Sequence, residues 1–282
     1  MQLTRPTAEI FLPDDLPVER ALARTTHLAI AAHPDDIEIM ALPGILECFQ
    51  RVDKWFCGVV VTDGSGSARA GLYRDYNNAE MRTVRRKEQK KAAVVGEYTA
   101  QVLLDYSSDA AKDPADPSPT NDITALLKAT QPQVVYTHNL ADRHDTHVAV
   151  ALRVVEAIRR LPETQRPQHL LGCEAWRSLD WMAQADKVIL DCSAHENLQA
   201  ALVGVFDSQI GGGKRYDLAA AGRRRANATY QQSHRADQVS GMVLAMDLTP
   251  LVTNTGTNIQ SYVQAHITRF AQDVMERLAR YT

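Results

Sequence analysis

Short apolar runs alternate with longer amphipathic stretches along most of this chain, and that alternation constrains its fold more than any other feature. THLAIAA (26–32), WFCGVVVTDG (55–64), QVLLDYS (101–107), QVVYTHN (133–139) and KVILDCS (187–193) read as buried strands. Between and after them, IEIMALPGILECFQR (37–51), NNAEMRTVRRKEQKKAAVVG (77–96), DITALLKAT (122–130), HVAVALRVVEAIRRL (147–161) and ENLQAALVGVFDSQ (196–209) carry helical spacing. Gly96 supplies the stop expected after a last helical turn. Strands alternating with helices predict an α/β protein, a Rossmann-like and mostly parallel sheet with helices on both faces. In open sheets of this kind ligands bind beyond the carboxyl ends of the strands. The residues with chemical potential fall there: His33, Asp35 and Asp36 after the first run, Asp63 after the second, and His138 with ADRHDTH (141–147) after the fourth.

At 282 residues the chain is long enough for one large domain or two small ones. The reading here is a single α/β domain over 25–235, an N-terminal extension over 1–24, and a C-terminal extension over 236–282. That extension ends in an amphipathic helix, IQSYVQAHITRFAQDVMERLARY (259–281), suited to pack on the domain or on a second subunit of a homo-oligomer. SSDAAKDPADPSPTND (107–122) and GSGSARAGLYRDY (64–76) read as loops, the second beside the proposed site. A net charge of −3 argues against a broad nucleic-acid-binding surface. Four dispersed cysteines in apolar surroundings predict buried, reduced thiols. The first residues lack the pattern of a signal peptide, and no run reaches the length of a membrane span, so a soluble cytoplasmic protein is expected, not a membrane protein.

Two adjacent carboxylates, Asp35 and Asp36, repel each other, and a turn rarely needs both. His33 and Asp36 stand three apart around Pro34, and His144 and His147 stand three apart at a helix start, where they share a face. Imidazoles and a carboxylate in this arrangement suit a first-row divalent metal with open coordination positions. If Asp36 holds a cation the repulsion is relieved, and Asp35 is free to take a proton from a water beside the metal. Plainer readings exist. Asp36 and Asp142 could cap the helices that follow them, but capping does not explain the histidines after two strands. The Arg82–Lys91 run reads as a solvated helix face. Asp63 suits a turn backbone or a sugar hydroxyl equally. His138 reads as a structural or substrate-contact residue, because catalytic zinc keeps three protein ligands. GGGK (211–214) lacks both the Ser/Thr after Lys214 and the first glycine of a phosphate loop. The first strand ends in HPDD without the glycine fingerprint of a dinucleotide site.

Ala32-His33-Pro34-Asp35-Asp36 and Asp142-Arg143-His144-Asp145-Thr146-His147 resemble the two signatures of the PIG-L/LmbE-like family of N-acetylglucosaminyl deacetylases. Arg85-x-x-Glu88, Ser208-Gln209 and the arginine-rich AAGRRRANATY are also similar to that family. The resemblance implies His33, Asp36 and His147 as ligands of Zn2+, which Fe2+ would suit equally. It implies Asp35 as the general base and later proton donor, and His144 as the oxyanion-stabilising imidazolium. It places Arg85 near the substrate, with Asp63 and Asp142 as further substrate-binding candidates. The implied function is a zinc-dependent amide hydrolase that removes an acetyl or similar acyl group from an N-acylated amino sugar; the alternative is a non-catalytic metal- or ligand-binding relative. Two departures stand out: Thr146 precedes His147 where many members carry a carboxylate, leaving Asp145 or Asp142 to replace it, and Phe206 stands where the family often has histidine.

Overall fold

A computed structural model describes all 282 residues. Eight strands form one sheet: β1 (Glu9–Phe11), β2 (His27–Ala31), β3 (Phe56–Thr62), β4 (Ala100–Tyr106), β5 (Val134–His138), β6 (His169–Cys173), β7 (Lys187–Asp191) and β8 (Met242–Asp247). Their order is β1-β4-β3-β2-β5-β6-β8-β7. The central strands β4-β3-β2-β5-β6 are parallel, while β1 pairs antiparallel with β4, and β8 antiparallel with both β6 and β7. The α/β architecture with a mostly parallel sheet is thus as the alternation of runs indicates.

Side chains of a strand point alternately to opposite faces, and the sheet separates two cores accordingly. Leu28 and Ile30 of β2 join Val59, Val61, Val102 and Leu104 on one face, against the helices Ser118–Thr130 and Asp145–Arg159. Ala29 and Ala31 join Phe56, Val60 and Leu103 on the other, against the helices Leu42–Cys48 and Glu196–Gly204. On this second face the helix Leu42–Cys48 passes so close to β5 that a Cβ on Gly44 would meet the Tyr136 ring at 2.5 Å. A larger residue there forces the helix away from the sheet.

Several expectations are corrected. The helix read over 37–51 is two helices, Asp36–Met40 and Leu42–Cys48, because Pro43 has no N–H to continue the first. The stretch 196–209 likewise divides into Glu196–Gly204 and Asp207–Ile210. The segment 107–122 holds a short helix, Ser108–Lys112, and the start of the Ser118–Thr130 helix. The arginine-rich stretch lies in a helix, Tyr216–Thr229. Strands β1, β6 and β8 escape the sequence pattern, since three to six residues flanked by polar loops leave too little periodicity to read. Two of them, β1 and β8, lie outside the 25–235 unit expected to hold the sheet.

The Arg82–Lys91 run is more than a solvated face. Arg86 and Lys90 bond Glu9 of β1 at 2.7 and 2.8 Å, and Arg82 Nε donates to Asp105 of β4 at 2.8 Å. These contacts fasten the edge strand β1 and its neighbour β4 to the Asn78–Val95 helix. The four cysteines are buried and unpaired. In the C-terminal helix Ile259–Ala279, Ile259, Tyr262 and Val263 pack on the core, and His266 reaches Asp186 at 3.3 Å. No helix is long and apolar enough to cross a membrane.

Candidate metal centre and catalytic site

The strand order reverses direction between β2 and β5: the chain winds outward from β2 through β3 to β4, then returns to β5 beside β2. Such a switch point opens a crevice between the carboxyl ends of the two strands. His33, Asp35 and Asp36 leave β2 into this crevice, and His138 through His147 leave β5 into it. Asp35 sits there with φ +85°, a left-handed conformation that a non-glycine residue adopts only under constraint from its surroundings.

His33 Nδ1, Asp36 Oδ2 and His147 Nε2 form a nearly equilateral triangle, with edges of 3.1, 3.2 and 3.2 Å. Ligand atoms about 2.0–2.1 Å from a tetrahedral zinc stand about 3.3 Å from one another. The three atoms therefore fit a small divalent cation without rearrangement. The electrostatics agree. Burial alone would raise the Asp36 carboxyl, but His147 and His138 hold it well below the usual carboxylate range. Burial disfavours charge on His147, yet Asp36 and Asp142 lift its pKa to about 9. The buried Asp36 and His147 thus favour positive charge at their corner of the cluster.

Other groupings fit less well. His138 lies near Asp36 and His147, but its Nε2 accepts the Ala32 N–H at 2.9 Å. That bond occupies its lone pair and keeps the ring neutral, with burial holding its pKa well below that of free histidine. His138 is stacked on His147 with centroids 3.8 Å apart, so it fixes the plane of that ring. His144 stacks on the opposite side at 4.5 Å. Burial and the neighbouring His147 and His33 lower the His144 pKa, against the opposing pull of Asp36 and Asp142.

Asp142 is a substrate-binding candidate from the sequence, but its side chain is fully buried. Its Oδ2 faces His147 Nδ1 at 3.5 Å and accepts the Trp176 N–H at 3.1 Å, while Oδ1 accepts the His144 N–H at 3.1 Å. A carboxylate behind an imidazole fixes its tautomer and turns the far nitrogen outward. Of the two carboxylates, Asp142 is the one within ion-pair distance of His147, whose Nδ1 has no hydrogen-bond partner, and Asp145 is exposed. Asp63 is also away from the cleft lining: its Oδ1 accepts the Ser65 N–H at 2.9 Å and closes the turn after β3.

Arg85 is brought to the site, though by way of Asp35. The guanidinium, 1% exposed, donates to Asp35 Oδ2 at 2.7 Å, to the Pro34 carbonyl, and to Glu88 Oε2 at 3.2 Å. Glu88 in turn accepts the Ser208 N–H and hydroxyl, each at 2.7 Å. Phe206, in place of the family histidine, is buried with its ring 5.5 Å from the guanidinium carbon. Burial raises the Asp35 carboxyl to about 6 against the pull of Arg85, with Asp36 adding to the rise.

The open side of the cluster is a cleft of about 340 Å³ bounded by Gly66–Ala68, Lys112, Gln209 and Lys214. Tyr73 donates to Asp207 at 2.6 Å and ties the 64–76 segment across this cleft. Trp176, Lys112, Lys214 and Tyr216 are site residues that the sequence reading misses. Lys214 enters that reading only as the end of a failed phosphate-loop pattern; its Nζ lies 5.1 Å from the Trp176 ring. Each lies in an irregular segment or at a helix end, without a motif to flag it.

Residues 28–158 match the family model of PIG-L, the GlcNAc-PI de-N-acetylases. None of the curated proteins matches the chain. Among solved structures, GalB, the 4-carboxy-2-hydroxymuconate hydratase of Pseudomonas putida KT2440, is similar at 18% identity and TM-score 0.60, covering 79% of this chain and 96% of its own. A conserved protein of Thermus thermophilus is similar at 20% identity and TM-score 0.60, covering 83% and 99%. The N,N'-diacetylchitobiose deacetylase of Pyrococcus horikoshii follows at 18% and 0.58, covering 78% and 83%. These likenesses establish a shared fold. The family match covers every histidine and aspartate of the cluster: over residues 28–158 this chain is similar to the PIG-L family.

Proposed function

We propose that this protein is a metal-dependent N-deacylase that cleaves an amide on an amino sugar. One observation carries the reading: three donor atoms 3.1–3.2 Å apart lie beside a carboxylate, Asp35, that is held by a different partner. The family-model match over residues 28–158 and the deacetylase among the fold relatives support it. GalB, a hydratase by name, shares the fold, so the fold does not choose the reaction; the site must.

His33, Asp36 and His147 would hold zinc or iron(II). When bound, the cation polarises the acyl carbonyl and acidifies the attacking water. Arg85 engages Asp35 Oδ2, which leaves Oδ1 to take the proton from that water. As the water oxygen bonds to the carbonyl carbon, the carbonyl oxygen gains charge, and His144 donates a hydrogen bond to it. A donor so placed is worth about 3 kcal/mol in the barrier. Asp35 then passes its proton to the nitrogen as the C–N bond breaks, releasing a carboxylic acid and a free amine.

The test is metal content together with acid release from N-acylated glucosamine conjugates. One equivalent of bound metal and acetate release that disappears in Asp35→Ala support the reading. Protein that holds metal but cleaves no member of a broad N-acyl panel is instead a non-catalytic relative.

A further inference from the structure

A second cavity, of about 200 Å³, borders the reaction centre. It shares Asp35, Asp36, Trp176 and Tyr216 with the polar cleft, so the two are lobes of one site that meet at the catalytic carboxylates. Its remaining wall differs sharply in chemistry. Ile39, Ala175, Ala219, Ala220 and Val243 line it. Each of its three charged residues has at least one protein partner, although Arg224 Nε has none. Glu174 accepts the Leu244 and Leu179 N–H groups at 3.2 and 3.3 Å, Arg223 donates to the Ala175 carbonyl, and Arg224 Nη2 donates to the Glu38 carbonyl at 2.8 Å. No histidine reaches this lobe; His33 and His144 face the polar one.

An amide has two ends, and at the moment of attack they lie on opposite sides of the carbonyl carbon. The oxyanion belongs near His144. The amine end, a sugar rich in hydroxyls, suits the lobe with Lys112, Lys214 and Gln209. The other end meets the wall of Ile39, Ala175, Ala219, Ala220 and Val243, beside which a polar group would lose its water. We propose that the apolar lobe is the acyl subsite, and that the substrate carries an apolar acyl chain longer than acetyl. This rests on the deacylase reading above. A methyl group touches little of the Ile39–Val243 wall, whereas each added methylene removes apolar surface from water on both sides. That is worth about a fourfold gain in affinity per methylene while space lasts.

The test measures binding as well as rate, so that it survives failure of the deacylase reading. N-acetyl-, N-butanoyl- and N-hexanoylglucosamine are titrated calorimetrically into Asp35→Asn protein, and kcat/KM is taken for the same series with the unaltered enzyme. Affinity should rise at least tenfold from acetyl to hexanoyl, and kcat/KM should follow. In Ala220→Leu, which narrows the lobe from within, and in Ala219→Phe, at a more exposed position, the hexanoyl-to-acetyl ratio should fall toward one or below. Flat or falling affinity along the series overturns the acyl subsite, whether or not acetate is released. A gain that persists in both variants overturns it too, since the chain then binds elsewhere. Absence of all hydrolysis with the affinity trend intact removes the deacylase reading and leaves the apolar subsite standing.

Discussion

Arg85 Nη2 lies 2.7 Å from Asp35 Oδ2, and both side chains are almost wholly out of water. The residues are 50 positions apart in sequence, yet this contact orients the carboxylate that the chemistry would use as base. Gly64, with φ +69°, packs against Arg85 and Pro34, where an added Cβ would sit 3.2 Å from each. The turn after β3 thus closes over the guanidinium.

Removing that guanidinium leaves Asp35 buried without its cation, and Glu88 with only its Ser208 donors. Arg85→Met should cost about 3–5 kcal/mol of stability, read from urea unfolding, and lower kcat at least tenfold. Arg85→Lys keeps the charge but loses the planar fork that spans two carboxylates, and should fall between the two. Unchanged kcat in Arg85→Met would separate Asp35 from its assigned support.

Asp142 and Asp145 distinguish the two candidates for the missing carboxylate. Asp142→Asn should weaken metal binding by about 10–100-fold, measured by competition with a chromophoric chelator. Asp145→Asn should leave it unchanged, because Asp145 is exposed. The reverse pattern would reassign the carboxylate behind His147.

Chelation should abolish amide cleavage, and zinc or iron(II) should restore it. Metal should also protect the fold: at a free concentration one hundred times Kd the gain is about 2.7 kcal/mol, seen as a higher Tm. Asp36→Asn removes one corner of the triangle and should lose both the metal and the shift in Tm.

The C-terminal helix should loosen in acid. Burial lowers the His266 pKa, and Arg269, whose Nη2 lies 2.8 Å from its Nδ1, lowers it further, while Asp186 opposes. A folded pKa below the unfolded value of about 6.5 means the unfolded chain binds more protons. The contribution is therefore full above pH 6.5 and is lost as pH falls through the folded pKa. For Asp186, burial raises the carboxyl, but Arg269 and His266 outweigh it and hold it low. Its contribution is likewise lost in acid, at lower pH. Hydrogen exchange over 259–279 should be faster at pH 5 than at pH 7.5 after correction for intrinsic rates, and His266→Gln should flatten that dependence.

Much of the architecture is legible in the sequence because buried parallel strands are continuous apolar runs and their helices carry a stripe. THLAIAA and QVVYTHN read as strands, and residues at their carboxyl ends as neighbours in a crevice. The edges are not legible. β1 has three residues and β8 is recruited between β6 and β7, choices made by what the sheet's borders need covered.

Sequence alone determined that His33, Asp35, Asp36, His144 and His147 leave strand ends in an alternating α/β chain, and that chemistry gathers there. Local spacing suffices for this, since a turn fixes residues three apart. The tertiary structure decided the rest: that Asp142 turns to His147, that Arg85 grips Asp35, that Glu88 receives Ser208 from 120 residues away, and that an apolar lobe borders the carboxylates. These depend on the distance between side chains brought together by packing, a quantity with no counterpart in a linear pattern.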